Sequence, residues 1–184
     1  MMNRIVLLLL LGFAAPIGAD ELEDLVKKYE SERRLESRER YSTIGQFSGF
    51  RDDDRARKVL LRFYGMEKDL SIKGQLLRQL GYHDHPEVRA ILYRALEGNE
   101  TTLKYAAAQG LKGKLDLVGT RKVVTMLADP NTSSMVQRYL RDALQTVTDE
   151  KAIQWLCGPG LASSDKPTLL VVLDAIERLG SAQA

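Results

Sequence analysis

The chain's only two histidines lie two positions apart, in the segment His83-Asp84-His85. Two imidazoles around a carboxylate are ligand types for a transition metal. One turn seldom supplies a complete site, and Asp84 and Pro86 also suit a plain turn. His83 and His85 therefore stand as a weak metal candidate, and no metal or other cofactor is expected. Cys157 is the single cysteine, which excludes a disulfide framework and a Cys-based zinc site. Gly158-Pro159-Gly160 is too short and wrongly placed to cradle a phosphate, and Asp129-Pro130 and Trp155 read as turn and core. Serine-nucleophile motifs, paired cysteines and glycine-rich loops that open a helix are all missing. The residues point to recognition rather than to catalysis, so the chain is not expected to be an enzyme.

Recognition would rest on charge. Net charge is only +2, yet it is unevenly placed. Residues 20–54 carry a net −4, residues 55–141 a net +8 and residues 142–184 a net −3. The positive centre contains Lys73, Arg78, Lys104, Tyr105, Arg138 and Arg141, which fall beside or opposite apolar helix stripes. On a wheel of 100° per residue, Arg78, Gln109, Asp142 and Glu177 take equivalent outward positions. The six-residue set is a candidate partner-binding patch for an acidic or extended protein or peptide. An ordinary solvated face, or docking of the acidic segment 20–39 onto it, remains open as another reading.

These side chains are carried by a repeated pattern. Apolar triplets at i, i+4, i+8 occur as Ile72/Leu76/Leu80, Leu103/Ala107/Leu111, Val136/Leu140/Leu144 and Val171/Ala175/Leu179, at intervals of 31, 33 and 35 residues. An amphipathic stretch precedes each triplet, marked by Leu60 and Phe63, by Val88 and Leu92, by Val123 and Val124, and by Ala152 and Leu156. A helix pair of this length cannot bury its own apolar face, whereas stacked pairs share one continuous core. The pattern predicts an all-α fold, an α-solenoid of about four stacked helical hairpins spanning residues 51–181.

The segment EVRAILYRALEGNETTLKYAAAQGLKG, residues 87–113, resembles a HEAT repeat, notably the HEAT-like type of phycobilin lyase proteins. The matching positions are Ala95-Leu96 at the end of the first helix, then Leu103-Lys104, Ala106-Ala107 and Leu111. A weaker copy runs through Val136-Gln137, Leu140, Ala143 and Leu144. The basic slot of the second helix is filled by Lys73, Lys104, Gln137 and Val172, so a charge ladder through that slot is incomplete. The resemblance implies protein–protein scaffolding and, as an alternative, a chromophore lyase-like or small-molecule-binding enzyme.

At the N-terminus, Arg4, an apolar run from Ile5 to Ala15, Pro16 and the small residues before Asp20 have the layout of a secretory signal peptide over residues 1–19. Eleven residues at ~1.5 Å each fall short of a ~30 Å hydrocarbon core, so no stable membrane insertion is expected after cleavage. Residues 20–50 read as a charged helical spacer followed by a glycine-containing linker, Tyr41 to Phe50. The expected location is periplasmic or secreted. Export and low net charge oppose a nucleic-acid partner. The sequence-based expectation is an exported, non-catalytic scaffold whose concave face holds a protein or peptide.

Overall fold

Aspartates standing just before apolar stretches set where several of the helices begin. A computed structural model describes residues 18–33 and 37–181, and all of its regular structure is helical. The α-helices are α1 (Gly18–Glu32), α2 (Ser37–Gln46), α3 (Asp54–Met66), α4 (Leu70–Leu80), α5 (Pro86–Glu97), α6 (Thr101–Gly110), α7 (Leu117–Ala128), α8 (Ser134–Leu144), α9 (Glu150–Trp155) and α10 (Lys166–Ser181). A 3₁₀ turn, Phe47–Phe50, follows α2, and a π turn, Leu156–Gly160, follows α9. Asp53, Asp69, Asp116 and Asp149 accept the first free N–H groups of α3, α4, α7 and α9, and Ser133 does so for α8. For α5 the cap is the imidazole of His85, with Pro86 fixing the first turn. Asn99, a position suited to a cap, does not start α6; Glu100 precedes it with no side-chain cap.

Consecutive helices pair as α1 with α2, α3 with α4, α5 with α6 and α7 with α8, while α4 lies between α2 and α6, and α6 between α4 and α8. Ile72, Leu76 and Leu80 of α4, Ala106 to Ala108 of α6, and Val136, Leu140 and Leu144 of α8 join one buried cluster with Leu60, Leu92 and Val123 of the helices behind them. Gly81 and Gly110 let the ends of α4 and α6 close up. A Cβ on Gly81 would stand 2.5 Å from the Gly110 Cα.

Two stretches depart from expectation. The 41–50 segment is not a linker: it forms most of α2 and the 3₁₀ turn, with Ile44 and Phe47 in the core. Nor does α1 stand off as a solvated spacer. Leu22, Leu25 and Tyr29 are buried, Tyr29 lies 4.4 Å from the Phe63 ring centre, and Glu30 bridges to Arg62. Apolar burial outweighs the weak helix propensity of a glycine-containing stretch. The acidic segment thus packs beside α2 and α3 rather than over the central cations. At the other end α10 packs on α7 and the π turn. The signal-peptide reading falls outside the described residues except for Gly18 and Ala19, which open α1.

Arginines of the first helix in successive pairs tie the layers together. Arg57, Arg89 and Arg121 recur every 32 residues. Arg57 donates to Asp54 at 2.6 Å and to Glu87 of the next pair at 2.8 Å. Arg89 bridges Asp84 at 2.5 Å and reaches within 4.0 Å of Asp116. Arg121 lies 5.4 Å from the Trp155 ring centre. The incomplete charge ladder expected of the second helices is therefore set out instead along the first ones.

Candidate functional site

Residues spaced five to eight positions into α4, α6 and α8 converge on one groove. Its walls are Gln75, Arg78, Gln79 and Tyr82 from α4 and its end, Gln109 and Lys112 from α6 and its end, and Tyr139 and Asp142 from α8. Its volume is about 460 Å³, within the range of small-ligand sites and far too large for one water. Gly81 and Gly110 form part of its floor, where no side chain fits.

The α6–α8 wall is fixed by a pair of tyrosines. The rings of Tyr105 and Tyr139 meet edge to face at 5.0 Å, and their hydroxyls are 3.2 Å apart. The Gln109 amide donates to the Tyr105 hydroxyl at 3.4 Å, and Arg138 donates to Tyr139 at 3.3 Å while lying 5.0 Å from its ring centre. The hydroxyl–hydroxyl bond pushes the Tyr105 phenol up and holds the Tyr139 phenol below the ordinary range; Gln109 and Arg138 add to the latter effect.

The groove's polar groups are not used up by the protein. Among the described residues, Arg78 Nε, Gln79 Oε1 and Gln109 Oε1 are buried and have no hydrogen-bond partner, as is true of single atoms of Glu32, Arg40, Thr43 and Thr120 elsewhere. Gln79 is only 6% exposed. A buried polar atom without a partner costs about 1–3 kcal/mol, so three in one groove mark a place where the fold forgoes stability. Among the described residues, Arg78, Lys112 and Asp142 form no ion pair, in contrast to Arg57, Arg89 and Arg40.

The six residues of the sequence-derived patch do not form one surface. Arg78 lines the groove, and Tyr105 and Arg138 brace its tyrosine wall. Lys73 instead lies 4.9 Å from the Tyr64 ring centre, in a separate recess with Glu87 and Arg94. Lys104 lines a third recess with Glu97 and Asp129. Arg141 is held by Asp174 of α10 at 3.1 Å. Gln79, Tyr82, Lys112 and Tyr139 were missed, although the 34-residue interval between Tyr105 and Tyr139 is within one residue of the 33 that separate the starts of the helices that carry them.

The two histidines have separate roles. His83 is buried, and burial, followed by the positive charge of Arg57, pushes its imidazole below the ordinary value. His85 accepts the Glu87 N–H at 3.3 Å as the cap of α5. Among the described residues no three His, Cys, Asp or Glu side chains gather to hold a metal, and no helix is long and apolar enough to cross a membrane. No protein-family model matches the sequence, and comparison with curated proteins returns no match.

Proposed function

We propose that this chain is an exported, non-catalytic scaffold of stacked HEAT-like hairpins that holds a protein or peptide partner in the groove across α4, α6 and α8. The observation that carries the reading is the groove's polar lining, in which Arg78, Lys112 and Asp142 form no ion pair among the described residues and Arg78, Gln79 and Gln109 each keep a polar atom without a partner. The two buried arginines, Arg40 and Arg57, meet carboxylates, whereas the half-buried Arg78 forms no ion pair among the described residues, which supports a role in holding a ligand. The leader-like residues 1–19 support export, and the stacked pairs support a scaffold in which each hairpin contributes one strip of surface.

Photo-crosslinking tests the partner. A benzophenone amino acid at Tyr82, in the groove, is compared with one at Met135, exposed elsewhere on α8. A discrete adduct from Tyr82 alone, formed in the envelope or culture medium of the native host, is the expected result. Equal adducts from both positions, or none from Tyr82, overturn the reading. Recovery of the chain with Asp20 at its amino terminus is the expected mark of export; an intact Met1 in the cell interior contradicts it.

A further inference from the structure

The groove has a polarity that names its occupant more closely. Arg78, Gln109 and Asp142 are each the ninth residue of their helices, α4, α6 and α8. Side by side they run from positive through neutral to negative. Lys112, just past the end of α6, adds a second cation to the lining. None of the three charged side chains, Arg78, Lys112 or Asp142, is neutralised by an ion pair among the described residues. A groove meant for a phosphate or a polyanion would not carry Asp142 in its wall, because like charges at contact distance are strongly unfavourable.

Between the charged ends the groove demands both donors and acceptors. Gln75, Gln79 and Gln109 of its lining each carry a donor and an acceptor, while the unpartnered Arg78 Nε, Gln79 Oε1 and Gln109 Oε1 lie below the surface. An extended peptide backbone offers N–H and C=O groups at short, regular intervals, which satisfies both needs. A saccharide hydroxyl could serve the amides, but it supplies neither a cation for Asp142 nor an anion for Arg78. Tyr82 and Tyr139 provide flat walls against which side chains can lie.

Resting on the scaffold reading, we propose that the groove takes an extended peptide segment of mixed charge, its acidic side chain at Arg78 and its basic side chain at Asp142. Two helix steps of ~8–10 Å separate α4 from α8. At ~3.3–3.6 Å per extended residue, the acid and the base stand about four to six residues apart.

Fluorescence polarisation tests this with four labelled seven-residue Gly/Ser peptides carrying charges at their second and sixth positions. They hold Glu then Lys, Lys then Glu, two Glu, or two Lys. At least one mixed peptide is expected to bind about tenfold more tightly than either same-charge peptide. Arg78→Glu should move the preference to the two-Lys peptide, and Asp142→Lys to the two-Glu peptide. The double variant should restore preference for mixed charge in the opposite order. Circular dichroism confirms folding, and Arg78→Gln with Asp142→Asn, each weakening the mixed peptide, serve if a reversal variant does not fold.

An unchanged ranking in the variants overturns the proposal, as does tighter binding of a chitin tetrasaccharide or a heparin tetrasaccharide. If no peptide binds while the Tyr82 crosslink persists, peptide polarity is wrong and the scaffold reading survives. Loss of both removes both.

Discussion

Arg57 and Arg78 are arginines of adjacent helices, yet the molecule treats them in opposite ways. The Arg57 side chain is 7% exposed and lies between Asp54 and Glu87, which binds one helical pair to the next. Arg78 lines an open groove and, among the described residues, forms no ion pair and keeps its Nε without a partner. The first guanidinium is consumed in holding layers together. The second is oriented by its helix and left available. The same division runs along the chain: Arg40, Arg89 and Arg141 meet carboxylates from other elements or turns, while Arg78, Lys112 and Asp142 of the α4–α6–α8 groove form no ion pair among the described residues. Among these packed helices, a paired cation is told from an unpaired one by whether a neighbouring element supplies a carboxylate.

The strongest way to break this contrast is to remove a structural arginine whose partner is buried. Arg40 donates to Glu67 at 2.9 Å, and the two side chains are 11% and 10% exposed. Tyr29 donates to the same Glu67 oxygen at 3.3 Å, and its own phenol is pushed up to about 12 by burial and the adjacent carboxylate. Arg40→Met leaves that carboxylate buried without its counter-charge. A loss of about 3 kcal/mol is expected in urea unfolding at neutral pH. A loss below ~1 kcal/mol would show that Arg40 holds nothing.

Arg57→Met should cost less, about 1 kcal/mol, because Asp54 and Glu87 are more than half exposed and water takes over when the guanidinium is removed. Arg78→Met sharpens the comparison from the other side. Unfolding stability should hold or rise by up to about 1–3 kcal/mol, since no partner is stranded and a buried Nε without a partner is removed. The Tyr82 crosslink should nevertheless be lost. If Arg78→Met destabilises as much as Arg57→Met, the division between the two arginines collapses.

The two-helix rhythm could be read in advance because apolar spacing is local: Ile72, Leu76 and Leu80 mark a face whatever it meets, and all three are buried. The α2 helix could not. Gly45 and Gly49 look like breakers, and only packing of Ile44 and Phe47 against the body, a tertiary effect, makes the segment helical. The groove was half legible for a related reason. A helical wheel places a residue around its own axis but does not say which neighbour it meets. Lys73 and Arg78 are five residues apart, roughly 140° around the helix, and they enter different recesses. Arg141 looked free because its acid, Asp174, lies on α10, across a join whose π turn no periodicity announces.

The smallest effect links Arg57 to a pH response. His83 is buried among Arg57, Lys114, Asp52 and Asp54, and its imidazole is held below its ordinary value first by desolvation and then by Arg57, with the two aspartates opposing. In the unfolded chain it titrates near ~6.5. As pH falls through that value, the unfolded chain takes up a proton that the native state still refuses, so stability present above about pH 6.5 declines until the native imidazole also protonates. Thermal midpoints should therefore drop between pH 7 and pH 5.5 in the parent and drop less in His83→Gln. Arg57→Met should also lessen the drop, because one charge opposing protonation is gone. An equal pH dependence in all three proteins would place the response on other groups, and would detach His83 from the arginine ladder that closes over it.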